Sequence, residues 1–322
     1  DVADVTEFRR VLFRSAVVTI NYDGIVDLYV GAQELGQGSN TTLAIICAET
    51  LGVKLEDVKV HSGDTEHCPA DLGAWGSRQT LMAGNAVKMA AEDAKKQLLE
   101  VAYAESGFNI VYDMDIKDRW VHNVSRQERG FDYFNIVKKA IRAKEGQRIV
   151  GRGYYTPHRK GMISPAYSYM LQGVEVEIDE ETGKIKLIDS LTAHDCGQPI
   201  NHLGLIGQLE GAFSMAAGYG YLEYMPYENG KLMNPNLVDY KVIRATEMPK
   251  TAVAEIDTYE PEGPYGAKEA GEGLTNPTAA AIGNAIFHRF GIQIKENPIR
   301  PEMIVNALRE KREQEKAGKK KS

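Results

Sequence analysis

Cysteine is scarce in this chain: Cys47, Cys68 and Cys196 are the only three in 322 residues. Three scattered thiols are too few for a disulfide framework or a four-cysteine iron–sulfur cluster. Long apolar runs are missing as well, and no window reaches the roughly 18–20 apolar residues that a membrane-crossing helix needs. Positive charge is not in excess. The formal net charge of −7 weighs against a nucleic-acid surface, which normally carries a basic face. Two nucleotide fingerprints are absent: no Gly-x-Gly-x-x-Gly follows a strand and opens a helix, and there is no P-loop. The histidines His61, His67, His122, His158, His202 and His288 show no metal-ligand spacing. What is present is ordinary for a globular protein, 43% apolar and 26% charged, and the expected setting is reduced and cytoplasmic.

The chain divides by pattern. Residues 1–15 carry Arg9, Arg10 and Arg14 but no apolar segment with a cleavage site, so they read as a leader foreign to the fold rather than a signal peptide. Regular patterning starts at Ala16 and runs to Leu308, divisible into 16–150 and 151–308. Residues 309–322 hold seven Lys or Arg and three Glu and are expected to be a solvated basic tail.

Alternating β-branched residues predict a hairpin, Val17 to Tyr22 and Ile25 to Val30, turning at Asp23-Gly24. Gly31 to Gly38 is a loop, with Ser39 or Asn40 expected to cap a helix that runs to Leu51 and stops at Gly52. Val58 to His61 reads as a strand. Leu81, Val87, Ala90, Ala94, Leu98 and Val101 give one apolar stripe to a helix from about Arg78 to Ala104. Phe134 to Ile141 is helical by the same criterion. A second hairpin joins Val174 to Ile178 with Ile185 to Ile188 and leads into His194-Asp195-Cys196-Gly197. Leu203 to Tyr219 and Pro277 to Phe290 read as helices, and Leu237 to Ile243 as a strand. Strands, glycine loops and helices in this order imply a mixed α+β architecture, not a regular βαβ series.

Three glycine-bounded loops precede helices: Gly36-Gln37-Gly38, Gly73 to Gln79, and Gly271-Glu272-Gly273. Glycine lets a ligand approach the backbone, and helix N-termini offer N–H groups to anions. Such loops are equally common as plain caps, so on composition alone both readings stand. Glu272 fits a first-turn acid favoured by the helix dipole as well as a base. Gln37 fits a loop amide, and Gln208 a packing residue.

Four stretches together resemble the molybdenum-binding subunit of the xanthine dehydrogenase and aldehyde oxidase family. Val30 to Thr41 contains Glu34-Leu35-Gly36-Gln37-Gly38 and is similar to the family's first cofactor segment. Gly73-Ala74-Trp75-Gly76-Ser77-Arg78-Gln79-Thr80, with Gly84-Asn85-Ala86, resembles the second. His194 to Gly197 with Asn201, followed by Gly207-Gln208-Leu209-Glu210-Gly211-Ala212, resembles the third. Lys268 to Glu272 resembles the last, which carries the family's catalytic glutamate. The four occur in the family's order and span nearly all of the chain from Ala16 to Leu308.

That resemblance implies a molybdenum pyranopterin cofactor, in some members the cytosine dinucleotide form, without direct protein ligands to the metal. Gln37 would lie near the molybdenum, and Gly38 would bind the cofactor beside it. Gly76, Ser77, Arg78 and Gln79 would hold the pterin and its phosphate, Gln208 would hydrogen-bond the pterin-dithiolene region, Asp195 to Asn201 would shape the same cavity, and Gly271 would also contact the cofactor. Glu272 would be the general base. Tyr265 and Glu269 are weaker substrate-side candidates, and His194 reads as ordering the Asp195 loop. Partners implied are the N-terminal half of the molybdenum subunit, an iron–sulfur subunit with 2Fe-2S clusters, and a flavin (FAD) subunit. The stretches Asp64 to Leu81 and Tyr265 to Glu269 look most like the 4-hydroxybenzoyl-CoA reductase branch, which implies reductive dehydroxylation of an aromatic acyl-CoA. The aromatic segment Tyr154 to Tyr169, with Arg159 and Lys160, would then flank an acyl-CoA entrance. The alternatives are an aldehyde or N-heterocycle hydroxylase of the same family, acting on a small aromatic molecule, and a non-catalytic scaffold or incomplete fragment.

Overall fold

The computed structural model describes residues 14–106, 113–157 and 166–319. The chain forms two compact units that are each assembled from separated stretches. The first comprises residues 1–167, 196–204 and 257–269; the second comprises 168–195, 205–256 and 270–322. The expected division at residue 150 is corrected by this. Position 150 falls inside a strand, Ile149–Tyr155, that pairs with the N-terminal strand of the first unit.

In the first unit the expected hairpin forms from β1 (Arg14–Ile20) and β2 (Val26–Val30), antiparallel, with Ala16 opposite Val30. Every second residue points inward, which places Ala16, Val18, Ile20, Val26, Leu28 and Val30 in the core. Strand β1 starts before Ala16, so Arg14 and Ser15 belong to the sheet rather than to a leader. Arg14 is buried, with its Nε 2.7 Å from Asp71. Residues 1–13 lie outside the described residues.

Helix α1 (Ser39–Leu51) stops at Gly52 in the left-handed conformation, as expected. Its N-cap is Gly38, not Ser39 or Asn40, and Gly38 has no side chain to cap with. Strand β3 (Val58–Ser62) lies parallel to β2. Helix α2 (Gly84–Ser106) follows a wide turn over Gln79–Ala83 and buries Ala86, Val87, Ala90, Ala94 and Leu98. Three short strands, β4 (Met114–Lys117), β5 (Trp120–Asn123) and β6 (Arg126–Asp132), make a separate antiparallel sheet. Helix α3 (Tyr133–Ala143) is capped by Asp132, whose side chain accepts from Asn135 N.

Strand β7 (Ile149–Tyr155) closes the four-stranded sheet in the order β3-β2-β1-β7. The small residues of α2 and β7 are matched. A Cβ on Gly153 would stand 1.8 Å from the Ala86 carbonyl oxygen, and one on Gly151 would stand 2.1 Å from that of Ala90. Helix and strand thus approach backbone to backbone, which explains a stripe built largely of alanine.

In the second unit β8 (Tyr169–Ile178) and β9 (Ile185–Asp195) form the second hairpin, and β12 (Lys250–Glu255) runs parallel to β9; β10 (Tyr227–Glu228) and β11 (Lys231–Leu232) make a small ribbon. Helices α4 (His202–Ala217), α5 (Thr278–Phe290) and α6 (Pro301–Lys319) complete the unit. Ile185, Leu187, Phe213, Ala217, Ile282, Ile286, Ile304 and Leu308 form its core. Two expectations are corrected here. Residues 237–243 are turns and irregular chain with Leu237 and Val238 exposed, because the Asn236 side chain accepts from Val238 N at 3.0 Å and Asp239 N at 3.3 Å. The basic tail does not start as a frayed end at 309: α6 continues through Lys319, anchored by Ile304 and Leu308. Among the described residues no helix is long and apolar enough to cross a membrane.

Candidate functional site

The Gly36-Gln37-Gly38 loop is a tight turn with φ of +100° at Gly36 and +80° at Gly38. Side chains rarely adopt that conformation, which is why glycines stand there. Gln37 is half-buried, and both hydrogens of its amide are used. The oxygen accepts from Leu35 N at 2.6 Å, while Nε2 donates to Gln33 O at 2.9 Å and to Gln79 Oε1 at 2.6 Å. Gln79 is buried and itself donates to Gln33 O at 3.3 Å. Two residues 42 positions apart are thus joined directly.

The second loop turns back on itself at Gly73, Gly76 and Ser77, all with positive φ. The Arg78 guanidinium lies 3.6 Å above the Trp75 ring centroid, and burial pushes its pKa below the ordinary value while the Asp71 charge opposes that shift. Its charge is therefore held by stacking rather than extended into solvent. Asn85 ties this loop to a later stretch: Nδ2 donates to Leu81 O at 2.8 Å and to Glu262 O at 2.7 Å.

The third and fourth stretches also meet in the first unit. Gly197 and Ala267 form an isolated antiparallel bridge, flanked by Lys268 N to Cys196 O at 2.8 Å and Gln198 N to Gly266 O at 2.9 Å. A Cβ on Gly197 would lie 2.1 Å from Gly266 O, so only glycine permits this contact. Lys268 is buried and donates to Tyr167 O at 2.8 Å. Asn201 accepts from Gly204 N at 3.0 Å and so caps α4. Glu269 is half-buried in this unit. Tyr265, at φ +55°, turns into the first unit's core, where its hydroxyl is 2.8 Å from Thr50 Oγ1. Its ring is committed to packing.

The remaining candidates lie in the second unit. Asp195 is buried at the end of β9. Gln208 is half-buried on α4, next to the core residue Leu209. Around it the helix is bare: nothing lies within 4 Å of a Cβ built on Gly207 or Gly211. Glu272 does not begin α5. It opens a separate short 3-10 turn, Glu272–Thr275, after an extended Gly271. Buried Leu274 and a 2.7 Å bond from the Tyr219 hydroxyl to Thr275 O pin that turn, leaving Glu272 exposed. Arg159 and Lys160 lie outside the described residues.

Two contributors were quoted in the sequence without a role, Glu34 and Asn85. An acid just ahead of a glycine turn and a helix start is the signal that marks Glu34. Nothing in the spacing points to the contact of Asn85 with Glu262.

Glycine again decides whether a flat, phosphate-bearing cofactor fits. An added Cβ at Gly36, Gly38 or Gly76 would meet nothing within 4 Å, so these turns present bare backbone to open space. Among the described residues no group of three or more His, Cys, Asp or Glu could hold a metal ion.

The family description "Molybdopterin cofactor-binding domain" matches residues 5–249. The chain is 31% identical over 306 residues to the xanthine dehydrogenase molybdenum-binding subunit of Escherichia coli O157:H7, covering 90% of this chain and 38% of that protein. Quinoline 2-oxidoreductase from Pseudomonas putida 86 is similar in structure, with a TM-score of 0.85 and 27% identity over 92% of this chain and 38% of that one. Aldehyde oxidoreductase from Desulfovibrio desulfuricans ATCC 27774 gives 0.73 and 26% over 92% and 30%. The chain spans well under half the length of each. With well over half of its residues under the family description, this chain belongs to the molybdopterin cofactor-binding domain family of molybdenum-dependent oxidoreductases.

Proposed function

We propose that this chain is the cofactor-binding part of an oxidative molybdenum hydroxylase that acts on an electron-poor carbon of an N-heterocycle or aldehyde. The observation that carries this reading is the direct Gln37–Gln79 bond, together with the Asn85–Glu262 and Gly197–Ala267 contacts. These contacts join parts of the first three stretches to residues 262 and 267 within the first unit, and the adjacent Lys268 N to Cys196 O bond adds the start of the fourth, while Asp195, Gln208, Gly271 and Glu272 belong to the second unit. The names of the relatives, a xanthine dehydrogenase, a quinoline oxidoreductase and an aldehyde oxidoreductase, favour the oxidative direction. Reductive dehydroxylation of 4-hydroxybenzoyl-CoA is the second reading, supported by the likeness of Asp64 to Leu81. The part of that likeness at Tyr265 reflects core packing.

The bare turns at Gly36, Gly38 and Gly76 would take the pyranopterin against backbone, with Gln37 and Gln79 at its edge and Arg78 near its phosphate. Gln208, on the bare surface of α4, would offer an amide that both donates and accepts. The cofactor supplies two-electron redox chemistry and oxygen transfer. Glu272 would take the proton of the attacking water-derived hydroxyl as the new carbon–oxygen bond forms, while the hydrogen and electron pair of the carbon–hydrogen bond that breaks would pass to the cofactor. Efficient general-base catalysis asks for a carboxyl pKa near the working pH, which needs a dry surrounding. Glu272 is exposed on this chain, so bound substrate, cofactor and the rest of the subunit would provide that enclosure. Gln37 can donate to a ligand only by trading its bond to Gln33 O or to Gln79 Oε1, whereas its amide oxygen, which accepts from Leu35 N alone, keeps a lone pair for a ligand donor. Electrons leave through partners that carry 2Fe-2S clusters and FAD.

The test is Glu272→Gln in the assembled enzyme, with the remainder of the molybdenum subunit and the electron-transfer partners present. Turnover should fall by roughly 10²–10⁴ while molybdenum content stays near normal, because Gln keeps the size but cannot take the proton. Glu269→Gln should have a much smaller effect. Near-normal turnover of a metal-replete Glu272→Gln enzyme would remove Glu272 from the mechanism.

A further inference from the structure

The Glu34 carboxylate lies inside the turn that carries Gln37. Its Oε1 accepts from Gly36 N and from Gly38 N, both at 2.9 Å. Its Oε2 accepts from Asn40 N at 3.0 Å and from the Ser39 hydroxyl at 3.4 Å. The two glycine N–H groups flank Gln37 on either side, and both converge on one oxygen. Successive backbone N–H groups turned to a common point make an anion-binding concavity of the kind that often takes phosphate. Here the chain fills it with its own acid. The N–H groups of Gly36 and Gly38 are therefore spent on Glu34, and the cofactor's anionic groups fall to the Gly73–Gln79 loop.

We propose that Glu34 is a positioning residue: its carboxylate fixes the backbone on both sides of Gln37 and so determines where the Gln37 amide meets the pyranopterin-bound metal. The consequence for the metal rests on the proposed function; the tether itself rests on the hydrogen bonds alone. A carboxylate is the right group because it has two acceptor oxygens and no hydrogen, so one side chain serves three backbone N–H donors and shares the Ser39 hydroxyl with Gln33 O. It also does the work that Gly38, as N-cap of α1, cannot do, and it puts negative charge where the first turn of that helix favours it. Gln at the same position would turn an NH2 group toward backbone N–H donors. Gln37 gains a second restraint from Gln33 and Gln79, so the turn is held from below by charge and from the side by amides.

Two measurements on Glu34→Gln decide the matter. In the chain itself, amide hydrogen exchange at Gly36, Gly38 and Asn40 should quicken by roughly tenfold or more, with exchange in α2 unchanged. In the assembled, metal-replete enzyme, Glu34→Gln should shift the Mo(V) electron paramagnetic resonance signal in the same sense as Gln37→Ala. Glu34→Asp keeps the charge one methylene short and should recover part of the protection; it supplies the same comparison if Glu34→Gln does not fold. Unchanged exchange at all three amides would overturn the tether. A signal altered by Gln37→Ala but not by Glu34→Gln would overturn the positioning role. A wild-type assembly without molybdenum would sink the proposed function, and the exchange data would still decide the tether.

Discussion

Glu34 shows how one side chain can set the chemistry of its neighbours. Burial alone would push its carboxyl up, but the N–H groups of Asn40, Gly38 and Gly36 and the Ser39 hydroxyl hold it below the ordinary range. The sign of the linkage follows. A depressed carboxyl contributes order above its unfolded pKa, about 4.3 for glutamate, and loses it as pH falls through the lower folded value. Protection of the Gly36, Gly38 and Asn40 amides, corrected for intrinsic exchange, should therefore survive acidification past about pH 4.3 and collapse below it. Glu34→Gln should show no such acid step. Protection lost already near neutral pH would mean that another group holds the turn. At this scale the sequence was informative about residue type more than partner. Gln37, Gln79 and Gly76 could be singled out because their stretches resemble a known pattern. The Gln37–Gln79 bond and the inward turn of Tyr265 depend on contacts between residues 42 and 215 positions apart, which no local spacing encodes.

Elements reveal a different limit. The hairpins, α1, α2, α3 and α5 were legible because each has a strong period and clear stops, such as Gly52 after Leu51. Short strands β4 to β6 and β12 were not, since four to seven residues of mixed polarity carry little periodic signal. Residues 237–243 failed for another reason: a side-chain bond from Asn236 outcompetes the strand pattern of Leu237 and Val238. The glycines around Glu272 point to a helix start, yet Pro277 and Thr278 begin that helix and leave the acid on a turn of its own. The close contact of α2 with β7 gives a sharp test. Gly153→Ala would drive a methyl into the Ala86 carbonyl and should cost at least about 1–3 kcal/mol, read as a lower urea midpoint at constant slope. Gly173→Ala, where a Cβ meets nothing within 4 Å, should change stability by no more than about 0.5 kcal/mol. Equal midpoints for the two variants would contradict the packing described.

The whole molecule consists of two units, each stitched from three stretches, and a linear reading cannot anticipate such interleaving. The chain returns to the first unit at 196–204 and again at 257–269, and these returns carry the Gly197–Ala267 bridge. Mixed α+β architecture was legible from element order; which segments share a core was not. The central proposal is that the assembled enzyme would oxidise an electron-poor carbon with oxygen drawn from water. The most direct measurement supplies the metal-replete assembly with quinoline, xanthine or an aldehyde in H2(18)O and a dye acceptor, beside 4-hydroxybenzoyl-CoA with a strong reductant. The account predicts 18O in the hydroxylated product, electrons delivered to the dye, and no dehydroxylation of the thioester. Dehydroxylation of 4-hydroxybenzoyl-CoA with no labelled product from the oxidative substrates would contradict it.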